Sequence, residues 1–230
     1  AIIEGFFRYA GASGIAYPSI VGCGDNATIL HYSTNNMRCS EGDVVLIDAG
    51  GEYSGYAADI TRSWPIDGKF STEQRQIYDL VLRAQLEAID CCRVGLPYNA
   101  PHERAREVLA QGLIDLGIID STLESALEED GDLKKWYMHN TGHWIGMDVH
   151  DVGIYKPDGE PRLFESGMVI TVEPGLYFGA WRPDVEIAEK WAGIGIRIED
   201  DVLITDNGPD VLTSSCPKEP QELEDIIGKA

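Results

Sequence analysis

Basic residues are scarce. The chain has 18 lysines and arginines against 39 aspartates and glutamates, a formal net charge of −21 over 230 residues. Nucleic acid and anionic membrane surfaces are therefore excluded as natural partners, because both would repel it. Long apolar runs are missing too, and none approaches the roughly 20 residues that span a bilayer. The opening residues hold no basic stretch followed by an apolar one, so no signal peptide is expected in them. The stretch "AIIEGFFRYAG" reads as the inside of a helix, which leads to the expectation of a fragment whose upstream portion is absent.

Cysteine and histidine are also thin. The five cysteines are Cys23, Cys39, Cys91, Cys92 and Cys216. Their number is odd, two are adjacent and no CxxC pair occurs, which argues against a zinc knuckle or a disulfide framework. Free thiols in a reducing cytosol are expected, and with them a cytoplasmic location. The five histidines are His31, His102, His139, His143 and His150, and three of them fall within residues 139–150.

What is present is a globular chain with 43% hydrophobic residues, enough for a substantial core. Residues 43–49 and about 54–64 read as strands joined by a Gly50-Gly51 turn, and a short strand is expected around 27–32. "STEQRQIYDLVLRAQLEAIDCCRVG" reads as a helix capped by Ser71 and Gln74 and ended by Gly95. "APHERAREVLAQGLIDLG" is a second, with Pro101 near its start and Gly117 at its end. His102 in that charged helix reads as simply solvated. The acidic stretch 121–135 is read as helical, and from Tyr137 onward strands and loops are expected. Helices and strands mix without regular βαβ alternation, which predicts α+β with a largely antiparallel sheet.

An internal echo adds to this. "GDVVLIDAG" (42–50) and "GMVITVEPG" (167–175) share glycine at each end, an apolar run between, and an acid at the same offset: Asp48 and Glu173. Two related halves are expected, each offering a carboxylate from the end of a strand. Asp59, in "LIDAGGEYSGYAADITRSW", and Glu199, in "GIGIRIEDDVLIT", are two further acids among apolar neighbours. A buried, unpaired carboxylate costs several kcal/mol unless it finds a partner, a proton or a metal. One such acid is ordinarily a turn residue or an ion-pair partner, and Arg197 could pair with one of them. Four acids with a histidine cluster point instead to about −4 of charge neutralised by two divalent cations. Few nitrogens and no thiolates suit Mn²⁺, Co²⁺ or Zn²⁺.

"LIDAGGEYSGYAADITRSW", "HNTGHWIGMDVHDVG", "TVEPGLYF" and "GIGIRIEDDV" resemble, in order and spacing, the pita-bread metallopeptidases, and most of all the catalytic domain of aminopeptidase P, the Xaa-Pro aminopeptidase. The resemblance implies a fold of two pseudo-symmetric halves around a curved antiparallel sheet, with 1–230 as one catalytic domain lacking the family's upstream domain. It implies a dinuclear metal centre, Mn²⁺ first, that cleaves the N-terminal Xaa-Pro bond of peptides with a metal-bridging hydroxide. By matching positions, Asp48, Asp59, His143, Glu173 and Glu199 would hold the metals, with Glu173 also handling the proton of the attacking water. His150 would stabilise the oxyanion, and His139 would contact substrate beyond the scissile bond. His31, Tyr177 and Arg197 would line the proline side. Homo-oligomerisation, as a dimer or tetramer, is implied for the full-length protein. Methionine aminopeptidases lack "HWxGxDVHD" and "GIRIEDD" in these forms, and creatinase-like members lack the metal ligands. An Xaa-Pro dipeptidase (prolidase) is the alternative enzyme, disfavoured by the tryptophan in "GHWIGMDVHD". A non-catalytic peptide-binding module is the alternative from another class, disfavoured by the complete ligand set.

Overall fold

The computed structural model describes residues 1–227, and every sheet in it is antiparallel. The architecture is α+β, as expected. Helix α1 (Ile2–Tyr9) leads into strands β1 (Gly14–Ile15) and β2 (Ile20–Cys23). A 3₁₀ turn, Gly24–Thr28, stands where a strand over 27–32 was expected. The segment tucks against two glycines: a Cβ on Gly22 would lie 2.6 Å from Asn26 O, and one on Gly195 2.2 Å from Ala27 O.

Strands β3 (Val44–Asp48), β4 (Gly51–Tyr53), β5 (Tyr56–Ala57) and β6 (Thr61–Pro65) correct the simple hairpin read across Gly50-Gly51. β3 does pair with β6, Asp48 opposite Thr61 and Val44 opposite Pro65. Between them the chain makes a smaller excursion in which β4 and β5 pair and turn at Ser54-Gly55, both in the left-handed region. Gly50 permits this crossing, because a Cβ there would stand 1.6 Å from Ala58 O.

Helix α2 (Thr72–Asp90) carries the expected capping box: Gln74 N–H donates to Ser71 Oγ at 3.1 Å, and Ser71 N–H to Gln74 Oε1 at 2.9 Å. It ends at Asp90 rather than at Gly95, which instead turns the chain toward α3 with φ 85°. Helix α3 (Ala100–Asp115) packs on α2 through buried Ile77, Val81, Ala84, Leu109 and Leu113. Helix α4 (Leu123–Ala126) and a 3₁₀ turn at Asp132–Lys135 replace the longer helix expected over 121–135.

The second half supplies β7 (Val169–Val172), β8 (Gly175–Tyr177), β9 (Gly195–Arg197), β10 (Asp200–Thr205) and β11 (Gly208–Val211). The stretch read as one strand, "GIGIRIEDDVLIT", is two, broken at Ile198-Glu199. Helix α5 (Pro220–Ile227) adds a helix to a region read as strands and loops. The echo has a structural counterpart. Gly42 and Gly167 both take left-handed φ, 86° and 93°, at the entrance to β3 and β7. In one half β3 ends on Asp48 and its partner β6 begins two residues after Asp59; in the other β7 ends just before Glu173 and its partner β10 begins just after Glu199.

The halves are stitched at this point. Glu199 N–H donates to Thr61 O at 3.1 Å and Arg197 N–H to Ser63 Oγ at 3.2 Å. Buried Arg62 crosses the seam, meeting Asp200 Oδ1 at 2.7 Å and Glu199 O at 2.5 Å. Burial would raise the pKa of Asp200, but Arg62, Lys218 and the Thr213 hydroxyl reverse this and hold it below the usual range.

One expectation about cysteine is corrected. Cys23 and Cys39 are joined by a disulfide, with Cα atoms 5.3 Å apart, while Cys91, Cys92 and Cys216 are free. The two are 16 residues apart in sequence, and spacing alone does not reveal their proximity.

The close crossing at Gly50 yields a test. Gly50→Ala must push backbone against backbone, so it is expected to cost about 3 kcal/mol or more. A shift of the urea midpoint equivalent to less than 1 kcal/mol would contradict this crossing.

Candidate metal centre

The four strand-end acids meet at the seam. Asp48, Asp59 and Glu199 are buried, Glu173 and His143 partly so. Ligand atoms of Asp59, His143 and Glu199 all lie within 4.8 Å of one another. His143 Nε2 is 3.5 Å from Asp59 Oδ2 and 3.5 Å from Glu173 Oε1. Asp48 completes the group from the side of Arg197, whose Nη2 meets Asp48 Oδ2 at 2.6 Å. The pairing of Arg197 with one acid, read as an option from sequence, is therefore what the structure has. Tyr17 was not singled out from sequence. Its hydroxyl reaches Asp48 Oδ1 at 2.5 Å and also bonds Asp59 Oδ1. A hydroxyl has one proton, so it cannot satisfy both carboxylates at once.

The electrostatics follow from this crowding. Burial raises the pKa of Asp48, aided by the charge of Asp59 and opposed by Arg197. Burial and the three neighbouring acids hold Glu199 well above the usual range, and Glu173 is pushed up to about 7, chiefly by burial. Burial would lower His143, but its bond to Asp59 and the charge of Glu173 raise it. Among the described residues Arg197 is the one permanent cation paired with any of the four acids, at Asp48, so the ionised set has an excess of negative charge. A donor set of carboxylate oxygens and one imidazole, already converging, fits a divalent cation.

Asp48 and Glu173 open onto a cleft of about 740 Å³, which His31, His139, His143, His150 and Arg197 help to line. The structure thus gathers the residues picked from sequence. Buried Tyr177 backs this wall: its hydroxyl receives Arg197 Nη1–H at 3.2 Å and is 2.8 Å from His139 Nε2. His139 Nδ1 is 2.7 Å from Asn140 O. Burial lowers the pKa of His139 to about 3, so it is neutral, donating from Nδ1 and accepting at Nε2. His150 is exposed, its ring edge-on to His143 at 4.3 Å. His31 is exposed on the chain that follows the first 3₁₀ turn.

Supporting residues were harder to see. Thr61 Oγ1 donates to Glu199 Oε2 at 2.5 Å, and Thr171 Oγ1 to Glu173 Oε1 at 3.3 Å. His102 corrects its reading as a solvated surface residue: it is partly buried, lines the cleft and sits 2.9 Å from Thr141 Oγ1. Its helical register could have hinted at this, since His102 precedes Ala105 and Leu109 on the inner side of α3.

The sequence profile of metallopeptidase family M24 matches residues 1–206. The chain belongs to metallopeptidase family M24. It is 46% identical over 212 residues to the Xaa-Pro aminopeptidase of Haemophilus influenzae, covering 92% of this chain and 48% of that protein. Against the Xaa-Pro aminopeptidase of Escherichia coli the figures are 44% over 221 residues, 96% and 49%. The chain spans about half the length of these M24 relatives. Its fold matches the structure of Pseudomonas aeruginosa aminopeptidase PepP with a TM-score of 0.94 at 47% identity, over 99% of this chain and 51% of that one. A glutamate-to-alanine variant of Escherichia coli aminopeptidase P in complex with substrate gives 0.91 at 43%, over 98% and 50%. The expected resemblance and fold class are thereby borne out.

The raised carboxylates give a pH dependence with a definite sign. In metal-free protein Glu173 binds its proton more tightly folded than unfolded, so stability is fully present below the unfolded value near 4.5 and is lost as pH rises to about 7. Melting of chelated protein should therefore fall between pH 5 and 7.5, by roughly 2–4 °C for each kcal/mol lost. Added Mn²⁺ should abolish the fall, and a flat profile in the chelated sample would contradict the crowding.

Proposed function

We propose that the chain is the catalytic part of an Xaa-Pro aminopeptidase, which hydrolyses peptides with proline second and releases the first residue. The observation that carries this reading is the convergence, in an M24 chain, of Asp59, Glu199 and His143 with Asp48 and Glu173, the last three lining one cleft. These five would hold two divalent ions, Mn²⁺ first and Co²⁺ or Zn²⁺ as alternatives. When bound, such a pair supplies Lewis acidity toward a carbonyl and activates water near neutral pH.

The chain's own residues supply the rest. Glu173 would take the water's proton at a carboxylate oxygen and return it to the proline nitrogen as the amide breaks. Burial and His143 hold the pKa of His150 down, so a neutral ring can donate one N–H to the oxyanion. A peptide bond to proline has no N–H, and the ring fixes φ, so recognition must read the ring and the tertiary amide. Arg197, His139 and His31 line the cleft and would serve that purpose, with buried Tyr177 bonded to both Arg197 and His139 behind them. The acidic surroundings favour a substrate with a free α-ammonium. Residues of both halves build the cleft, which favours reading 1–230 as one catalytic domain. The three free thiols favour the cytoplasm, and the Cys23–Cys39 bridge counts against it.

Chelation is expected to abolish hydrolysis of Ala-Pro-Ala-Ala, and Mn²⁺ to restore it. His150→Ala should keep its metal by elemental analysis yet lose roughly 10²-fold in kcat, the scale of one transition-state hydrogen bond. The ratio of kcat/KM for Ala-Pro-Ala-Ala to that for the Ala-Pro dipeptide decides the substrate class. Preference for the dipeptide would replace this reading with a prolidase, and full activity without metal would end it.

A further inference from the structure

The loop at 139–143 carries two of the site's histidines without helix or strand of its own. One side runs along β7. Glu173 N–H donates to Thr141 O at 2.7 Å, Thr171 N–H to His143 O at 3.0 Å, and His143 N–H to Thr171 Oγ1 at 3.1 Å. Gly142 lets the loop lie this close, since a Cβ there would stand 1.9 Å from Thr171 O.

The segment entering α3 holds the other side. Tyr98 OH donates to Gly142 O at 2.9 Å. His102 Nδ1 accepts the Thr141 N–H at 3.2 Å and lies 2.9 Å from Thr141 Oγ1. An accepting Nδ1 fixes the ring proton on Nε2, so the imidazole is neutral. Burial pushes its pKa below the usual imidazole range, in keeping with that role. Tyr137 OH, 2.5 Å from Thr141 Oγ1, joins the same network. The Tyr137 ring in turn meets His139 edge-on at 4.9 Å.

We propose that His102 is a positioning residue, an acceptor on α3 that holds Thr141 and through it sets His139, His143 and the backbone of Glu173. The proposal rests on the reading that those three serve the proposed reaction. Thr141 is the junction: its carbonyl oxygen takes the Glu173 N–H, its own N–H goes to Nδ1 of His102, and its hydroxyl lies 2.9 Å from that same nitrogen. Without that acceptor the buried Thr141 N–H loses its partner, and from the α3 side the backbone of the loop is held at Gly142 by Tyr98. Outer partners of this kind typically carry about 10- to 100-fold in activity or metal affinity.

The test replaces the acceptor without replacing the fold. Asparagine places an oxygen near the Nδ1 position, glutamine near the Nε2 position, and leucine none. His102→Asn, His102→Gln and His102→Leu are compared with the parent, Mn²⁺-loaded, for kcat and KM on Ala-Pro-Ala-Ala. Mn²⁺ affinity is measured separately by calorimetry. His102→Asn should stay within about threefold of the parent, while His102→Gln and His102→Leu lose about 10-fold in kcat with KM little changed and bind Mn²⁺ more weakly. A raised KM at unchanged kcat would make His102 a substrate contact and overturn the proposal. So would equal loss in all three variants, or loss in none. If His102→Leu fails to fold, the asparagine–glutamine pair carries the comparison. A parent that binds Mn²⁺ but cleaves no Xaa-Pro peptide defeats the functional reading alone. The order of Mn²⁺ affinities, asparagine above glutamine, then still decides the positioning role.

Discussion

Four carboxylates share one small buried volume, and their mutual repulsion shapes much of the structure around them. In a medium of low dielectric, like charges at these separations cannot all stay ionised without compensation. The chain supplies some of it. Arg197 meets Asp48 directly, Thr61 donates to Glu199, and Tyr17 offers its one proton to either Asp48 or Asp59. None of these removes the excess. The protein is therefore built for positive charge that the chain does not fully provide, and this is the physical sense in which the site belongs to a metallopeptidase.

The repulsion must be resisted by backbone as well as by side chains. The acids lie at strand ends from both halves, so the halves would part if the seam between them were weak. Arg62 ties the seam through Asp200 and through the carbonyl of Glu199, next to the acids and apart from them. Lys218 and Gln85 complete the shell of Asp200, each 2.7–2.8 Å from its Oδ2. A buried charge pair is costly unless its remaining lone pairs are met, and here they are met on every side. The site's charges are left short of partners while the strut beside them is saturated, which keeps the strained region local.

Much of this was legible in the sequence. The glycine-bounded echo at 42–50 and 167–175 became two strands, each entered through a left-handed glycine and each delivering an acid. Asp59 and Glu199 were legible because an acid among apolar neighbours breaks strand patterning. The Ser71 capping box was legible because its two bonds are local. What failed was non-local. The excursion through β4 and β5 depends on Ala58 O crossing within reach of Gly50, which no short-range pattern encodes. Tyr17 lies 31 residues from Asp48 and has no motif around it. Cys23 and Cys39 meet across 16 residues of sequence, a proximity that spacing does not encode. His102 looked solvated because its neighbours Glu103 and Arg104 are charged, yet one face of an amphipathic helix can be polar while the adjacent position reaches inward.

The loop at 139–143 shows how these levels join. It has few local constraints, so its conformation is set by what lies on either side: the β7 edge, itself one arm of the echo, and the first turn of α3. The first holds the loop chiefly by backbone bonds, with glycine at position 142 and the Thr171 hydroxyl accepting the His143 N–H. The second holds it by side chains of defined acceptor geometry, Tyr98 and His102. The backbone contacts therefore fix where the loop runs, and the side-chain contacts fix how His139 and His143 are presented to the acids. A site of crowded carboxylates needs that second kind of control. A small displacement of His143, 3.5 Å from both Asp59 and Glu173, would change the balance of charge at both at once.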